Sequence, residues 1–136
     1  MSDLDRFVTA QDGAYRWALD EVRSGRKIGH WMWFVFPQLA GLGRSERARF
    51  YGLAGLDEAR AYLAHPALGP RLIEISTAML AHSGQRPESI LGGIDALKLR
   101  SCATLFEAAG GGPVFTAILE EFYGGERCPL TLTLLQ

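Results

Sequence analysis

Four polar residues in the second half of the chain recur at three-residue steps, and their types could do chemistry. Asp95, Lys98, Ser101 and Thr104 stand in the stretch "DALKLRSCATLF". On an α-helix this spacing predicts one slowly turning polar stripe, opposite the apolar residues of the same stretch. If the stripe faces a cavity, a desolvated lysine beside hydroxyls can hold a phosphate or a carboxylate. Asp95 and Lys98 are therefore the candidate catalytic residues, with Asp95 as a base or an orienting group.

The same residues also have a purely structural interpretation. Asp95 can cap the start of a helix, and Lys98 can be an ordinary solvated lysine. The pair Lys98-x-x-Ser101 resembles a reversed Ser-x-x-Lys pair, but that spacing recurs by chance, so Ser101 is not predicted to be a nucleophile. Ser101 and Thr104 are instead candidate ligand-binding residues.

A second candidate region is the stretch "RKIGHWMWFVFPQ", which sets an aromatic run between polar residues. Lys27 and His30 precede or begin the run, and Gln38 follows it. Small-molecule sites usually combine apolar walls with a few convergent polar groups, so these three residues, Trp31 and Trp33 are candidate ligand-binding residues. A tryptophan can stack on a flat ring or clamp a cation. The alternative is that the aromatic residues only fill the core.

The histidines and cysteines do not form a metal-binding pattern. His30, His65 and His82 lack the spacing of a shared metal site, and the last two are expected at helix ends. Cys102 and Cys128 fit no C-x-x-C motif, which favours reduced thiols in a cytoplasmic protein. The sequence predicts neither a metal nor a cofactor.

Helices are predicted to position both candidate regions. Apolar residues from Leu4 to Val22 recur every three or four positions, which predicts one amphipathic helix that starts after Asp3 and ends at Gly25, with Gly13 as its weak point. The same periodicity marks further helices in "LDEARAYLAHP", "LGPRLIEISTAMLAHSG", "GIDALKLRSCATLFEAAGGG" and "PVFTAILEEFYGG". The final "PLTLTLL" alternates like a strand, but a lone strand would have no partner, so we predict a short helix there.

These elements predict an all-α fold: a single compact domain over residues 1–136, with about six or seven orthogonal helices and short Gly/Pro loops. The chain is 48% apolar and 21% charged, as expected of a folded protein. Its net charge of −1 gives no support to a general nucleic-acid binder. The longest apolar run is too short to cross a bilayer and the first residues are acidic, so we expect a cytoplasmic protein without a membrane partner. The oligomeric state stays open.

Several stretches resemble a family of small, mostly bacterial proteins of unknown function, and "HWMWFVFPQ" is the most specific of them. The others are "DLDRFVTAQDGAY", "EARAYLAHPALGPRL", "DALKLRSCATLF" and "FYGGERCPLTLTLL". The resemblance implies an all-helical fold. Some members carry the name calpastatin, which implies a protease inhibitor, but such inhibitors are long, polar and disordered in the free state. The composition of this chain excludes that activity.

Two functions from different classes follow. Convergence of the polar candidates with a tryptophan would suit a phosphate-bearing, nucleotide-like small molecule, with hydrolysis by Asp95 as a further option. The alternative is a non-enzymatic adaptor that binds a protein partner through an exposed aromatic patch at Trp31 and Trp33. Nucleic acid ranks last as a partner, because the only dense basic group lies between Arg44 and Arg49.

Overall fold

The structure, a computed structural model, describes residues 3–136, which form ten helices. They are α1 (Asp5–Asp12), α2 (Tyr15–Ser24), α3 (Met32–Val35), α4 (Glu46–Phe50), α5 (Leu56–Ala64), α6 (Leu68–Leu80), α7 (Pro87–Leu91), α8 (Gly93–Ala108), α9 (Pro113–Tyr123) and α10 (Pro129–Leu134). The all-α fold class is confirmed, but the expected six or seven helices match only the six with eight or more residues. Within the described residues no strand forms, and a single isolated bridge joins Leu39 to Leu53. None of the ten helices combines the length and the apolarity needed to cross a membrane.

The first predicted helix is two helices, because the chain turns at Gly13. Glycine is a weak helix former, and α1 ends there, where the Ala14 amide donates to the Gln11 carbonyl (3.1 Å). Because of the turn, the two helices bury separate sets of side chains. Gln11 is among those that α1 buries, and Val22 is among those that α2 buries. The predicted end at Gly25 is confirmed, since Gly25 takes the left-handed conformation (φ 78°) that commonly ends a helix. The short final helix is also confirmed.

A chain of aromatic side chains runs through the core and joins four helices. Phe7 of α1 meets Tyr62 of α5 edge-on, with 5.2 Å between the ring centroids. Tyr62 contacts Phe106 of α8 at 5.4 Å, and Phe106 stacks on Phe115 of α9 at 5.6 Å. All four side chains are at most 1% exposed. Aromatic pairs in these geometries stabilise a core beyond the area that they bury.

Two polar side chains of α1 and α2 are satisfied by neighbouring elements, Gln11 inside this core and Tyr15 at its edge. Gln11 donates from Nε2 to the Phe34 carbonyl (2.6 Å) and to the Tyr62 hydroxyl (2.9 Å). Tyr15 donates to the Arg71 carbonyl (2.9 Å). Burial raises the pKa of Tyr62 well above its ordinary value. Gln11 and Tyr15 therefore satisfy backbone groups of neighbouring elements.

The helix-end positions expected for two histidines are also confirmed. His65 follows the last turn of α5, and its Nδ1 accepts the amides of Ala67 (3.1 Å) and Leu68 (3.3 Å) at the start of α6. His82 follows α6, and its Nε2 lies 2.7 Å from the carbonyl oxygen of Val22 near the end of α2. Both rings satisfy helix-terminal backbone groups.

Helix α8 passes through the centre of the fold. It contacts α5, α7, α9 and α10. Residues 101–106 are buried on every side, whereas Ile94 and Leu97 are exposed and Asp95 and Lys98 are half-buried. A helix that is apolar all round must be buried. The second half of α8 therefore anchors the helix, and its first two turns emerge at the surface.

Close packing of α5 against α6 depends on Gly69, which gives our first prediction. A Cβ at Gly69 would lie 2.1 Å from the carbonyl oxygen of Leu63, so one of the two backbones must move. We expect Gly69→Ala to lower the free energy of unfolding by about 3 kcal/mol, as overpacking commonly does. Urea titration followed by circular dichroism measures this change.

Gly13→Ala is the matched control, because a Cβ there meets no atom within 4 Å. This variant should be neutral or more stable by up to about 1 kcal/mol. Equal stabilities of the two variants would contradict the packing assigned to α5 and α6.

Candidate functional site

An open groove of about 410 Å³ lies where the start of α8 meets the loop that precedes α3. Five of the nine candidate residues line it. We call it the lysine groove, and its lining residues are Lys27, His30, Trp33, Leu91, Gly92, Gly93, Ile94, Asp95 and Lys98. Two stretches that lie about sixty positions apart in the sequence thus meet at one surface.

A smaller cleft of about 270 Å³ adjoins the lysine groove and contains two more candidates, Gln38 and Ser101. We call it the side cleft. Its lining residues are Gln38, Leu42, Ile94, Leu97, Lys98, Arg100, Ser101, Cys128 and Leu130. Ile94 and Lys98 line both cavities, so the two cavities adjoin at these side chains.

The remaining two candidates line neither cavity. Trp31 is 3% exposed, and its indole donates to Oε1 of Glu21 (3.0 Å). Thr104 is 1% exposed, donates to the Arg100 carbonyl (2.8 Å) and accepts the Cys128 amide (2.9 Å). Trp31 therefore belongs to the core, and Thr104 links α8 to the C-terminal segment.

Asp95 joins the two lysines at the base of the lysine groove. Its Oδ2 lies 2.8 Å from Nζ of Lys27, and its Oδ1 lies 3.4 Å from Nζ of Lys98. These side chains are only 18%, 8% and 19% exposed, respectively. They are also the only two lysines in the sequence. Two ammonium groups and one carboxylate leave the cluster with a net charge of +1.

Lys27 is held by more than its ion pair. Its Nζ donates to the Gly29 carbonyl (2.5 Å) and lies 5.1 Å from the ring centroid of Trp31. Its backbone amide donates to the Ile90 carbonyl of α7 (2.8 Å). A charge this buried needs such compensation, because removal from water is costly. Lys27 is therefore a fixed part of the groove.

Lys98 has looser surroundings. Its Nζ lies 4.2 Å from the ring centroid of Trp33, and Cζ of Arg47 lies 5.1 Å from the same ring. These are cation–π distances. The indole of Trp33 therefore lies close to two cations, and a ligand ring stacked on the face that Lys98 covers would displace that lysine.

The amino end of α8 opens into the lysine groove. Gly92 precedes the helix with φ 87°, a conformation that favours glycine, and no side chain caps the helix start. The amides of Gly93 and Ile94 belong to the first turn, where backbone N–H groups have no carbonyl partner within the helix. The positive end of the helix dipole thus adds to the charge of the lysines.

Glu21, which the sequence analysis did not single out, shapes the loop that carries Lys27. Its Oε1 accepts the amides of Ile28 (2.7 Å) and Gly29 (2.9 Å), besides the indole of Trp31. Burial acts to raise the pKa of Glu21, but these three hydrogen bonds and the nearby Lys27 outweigh it and lower the pKa below its ordinary value. In the sequence, the only indication of this role is that the acidic residue Glu21 immediately precedes the apolar Val22.

A second ion pair fixes the segment that reaches the side cleft. Arg127 makes a bidentate pair with Glu107 of α8, at 2.9 Å from Nε and 2.6 Å from Nη2. Thr116 of α9 donates to the same carboxylate (2.6 Å). The hydrogen bond from Arg127 is the main cause of the lowered pKa of Glu107. Cys128, the next residue, therefore has a fixed position in the side cleft.

Among residues 3–136, no cluster of three or more histidine, cysteine or acidic side chains could hold a metal ion. The polar groups of the two cavities are instead two lysines, an arginine, a histidine, an aspartate, an amide, a hydroxyl and a thiol. Most of these groups are hydrogen-bond donors, so the cavities are suited to an anion with further acceptor atoms.

These features define an all-helical protein with a cationic surface groove. The chain belongs to the family described as "Protein of unknown function (DUF1810)", whose model matches residues 1–135. It is similar to the conserved hypothetical protein Rv1873 from Mycobacterium tuberculosis, known from a crystal structure, with 50% identity and a TM-score of 0.95. That match covers 98% of this chain and 96% of the other. No curated protein matches. The expected family of unknown function is thus confirmed, and neither description names an activity.

Glu21 provides the second prediction. Glu21→Gln keeps the size of the side chain but removes the charge that three donors point to. At pH 7 we expect a loss of about 1 kcal/mol in the free energy of unfolding, a value reduced because the carboxylate is partly solvated. Urea titrations of both proteins measure the difference.

The pH dependence follows from the lowered pKa of Glu21 in the folded state. The stability that it contributes is complete above its unfolded pKa of about 4.3 and disappears as the pH falls through the lower folded value. The difference between parent and Glu21→Gln should therefore shrink between pH 5 and pH 3. A difference that stays constant over that range would contradict the assigned role.

Proposed function

We propose that the chain binds a phosphate-bearing, nucleotide-like small molecule in the lysine groove. The observation that carries the proposal is the convergence of both lysines of the chain on one open, net-positive cavity. The uncapped start of α8 adds oriented amides on the same side, and backbone amides at helix starts commonly bind phosphate. His30 on the groove wall adds another nitrogen donor.

Asp95 supports binding more directly than turnover. A general base needs a carboxylate oxygen that can approach a water molecule or a substrate proton. Each oxygen of Asp95 already lies near a lysine ammonium, so the carboxylate acts as a counter-ion that orients both lysines while the groove is empty. Hydrolysis by Asp95 and Lys98 is therefore a narrower proposal than ligand binding, and the position of Asp95 supports it less.

The adaptor hypothesis has less support. It needs an exposed patch at Trp31 and Trp33, whereas Trp31 is buried and Trp33 lies beneath Lys98 and Arg47. Of the two indoles, only that of Trp33 is partly exposed to a partner.

The proposal is tested by thermal unfolding with inorganic phosphate, ribose 5-phosphate, nucleoside monophosphates and adenosine diphosphate ribose. A ligand at about a hundred times its dissociation constant should raise the free energy of unfolding by about 2.7 kcal/mol, or roughly ten degrees in the midpoint. We expect Lys98→Ala to abolish the shift. Arg60→Ala removes the same charge from a side chain outside both cavities and should keep it.

The two lysines allow a direct reading of where a ligand binds. Selective ¹³Cε labelling of lysine gives two signals, and both come from the lysine groove. A bound phosphate should shift the Lys98 signal most, because Lys27 is held by more partners. A ligand that stabilises the protein and moves neither signal would place binding elsewhere and overturn the proposal.

The variant Asp95→Asn distinguishes a counter-ion role of Asp95 from a general-base role. Removing one negative charge beside the anion should tighten the binding of inorganic phosphate about fivefold, which corresponds to about 1 kcal/mol for charges some 4 Å apart in water. Isothermal titration at fixed ionic strength measures the change. Weaker phosphate binding would show instead that the orientation of the lysines by Asp95 outweighs its repulsion of the anion, and loss of a measured hydrolysis would show that Asp95 takes part in the reaction.

A further inference from the structure

The proposed function accounts for the lysine groove but not for the side cleft. The side cleft begins at the same Lys98 and Ile94 side chains and extends towards α10. Its volume of about 270 Å³ is slightly below the roughly 300–1,000 Å³ of sites that hold a whole drug-sized ligand. A cavity of this size next to a charged one suits one end of a molecule whose other end is an anion.

The walls of the side cleft are unusually apolar for an exposed surface. Ile94, Leu97 and Leu130 are 75%, 59% and 65% exposed, and all three line the cleft. Exposed apolar clusters next to polar groups often mark binding sites. A flat ring bound in the cleft would cover these apolar side chains. Their removal from water would contribute to binding.

Within residues 3–136, two polar groups of residues that line the side cleft have no hydrogen-bond partner: the side-chain amide of Gln38 and the buried Nε of Arg100. The side-chain amide of Gln38 forms no hydrogen bond with any residue in 3–136, whereas Ser101 donates to the Leu97 carbonyl (3.2 Å) and to Cys128 (3.3 Å). An amide offers one acceptor and two donors, and this combination matches the edge of a heteroaromatic ring. Gln38 therefore has free donor and acceptor groups in the cleft that can distinguish one ring from another.

The other aromatic platform is occupied. Trp33 lies against Lys98 and Arg47, so a ligand ring stacked in the lysine groove on the face that Lys98 covers would displace that lysine. The side cleft needs no such displacement. Lys98 lies at the junction of the two cavities, where it can contact a phosphate while a ring attached through a short linker lies beyond it.

We propose that the side cleft is the ring subsite of the site described above, and that the ligand class is the nucleoside monophosphates rather than simple sugar phosphates. The phosphate binds Lys98 and the start of α8. The ring packs against Leu97, Ile94 and Leu130, with Gln38 at its edge. This inference rests on the proposed function, because the subsite has a role only if the lysine groove holds the phosphate.

The experiment compares inorganic phosphate, ribose 5-phosphate and the common nucleoside monophosphates by isothermal titration. In the parent protein the preferred nucleotide should bind at least about tenfold more tightly than ribose 5-phosphate, a gain expected from burying one ring. Leu97→Asn should remove most of that advantage and leave ribose 5-phosphate binding within about twofold. Leu132→Asn is the matched control, since Leu132 is an exposed leucine that lines neither cavity, and it should behave as the parent does.

A second variant keeps the inference testable if Leu97→Asn is poorly folded. Gln38→Ala should reduce the differences in affinity among the nucleotide bases, with little effect on inorganic phosphate. Retention of the full base preference in both variants would show that the ring lies elsewhere and would overturn the inference.

The two proposals fail in different ways. If ribose 5-phosphate and every nucleotide bind equally, the ring subsite is wrong and the phosphate site stands. If no phosphate compound binds at all, the proposed function itself is wrong, and the subsite is lost with it.

Discussion

The burial of α8 is the constraint on which the rest of the structure depends. Six consecutive residues, 101–106, have no face towards water, so other helices must enclose them on all sides. Helices α5, α7, α9 and α10 supply that enclosure. Because the second half of α8 is fixed in this way, its first two turns project to the surface at a defined angle. Asp95 and Lys98 lie at this transition, partly enclosed and partly wet.

The loop before α3 is positioned by charge rather than by apolar packing alone. Glu21 collects three donors within its reach, and Lys27 is tied to Asp95, Gly29 and Trp31. Charged groups with little exposure are costly unless each is paired and hydrogen-bonded, and a half-satisfied network would be worse than an apolar one. Contacts within the protein therefore hold the groove in a formed state, as the proposed binding would require. Such preorganisation reduces the entropic cost of binding.

The tryptophans of the central stretch have separate roles that their proximity in sequence conceals. Trp31 is a core residue whose indole nitrogen is bonded to Glu21. Trp33 is two positions further along, partly exposed, and supports Lys98 and Arg47. Since α3 has only four residues, neighbouring side chains diverge within a single turn. The aromatic run is thus core on one side and cation support on the other.

Helical periodicity determined the fold class, and the glycine at position 25 determined the left-handed end of α2. The final segment alternates like a strand, and the lack of a strand partner is what indicated its helix. Residue type alone also identified polar residues that line the two cavities, because lysine, aspartate and glutamine are costly to bury without a partner. Other features required the tertiary structure. The break at Gly13, the network around Glu21 and the burial of Trp31 depend on contacts between segments distant in sequence, as does the division of the candidates between two cavities. These features depend on which face of a short helix packs against its neighbour. No local sequence pattern encodes that choice.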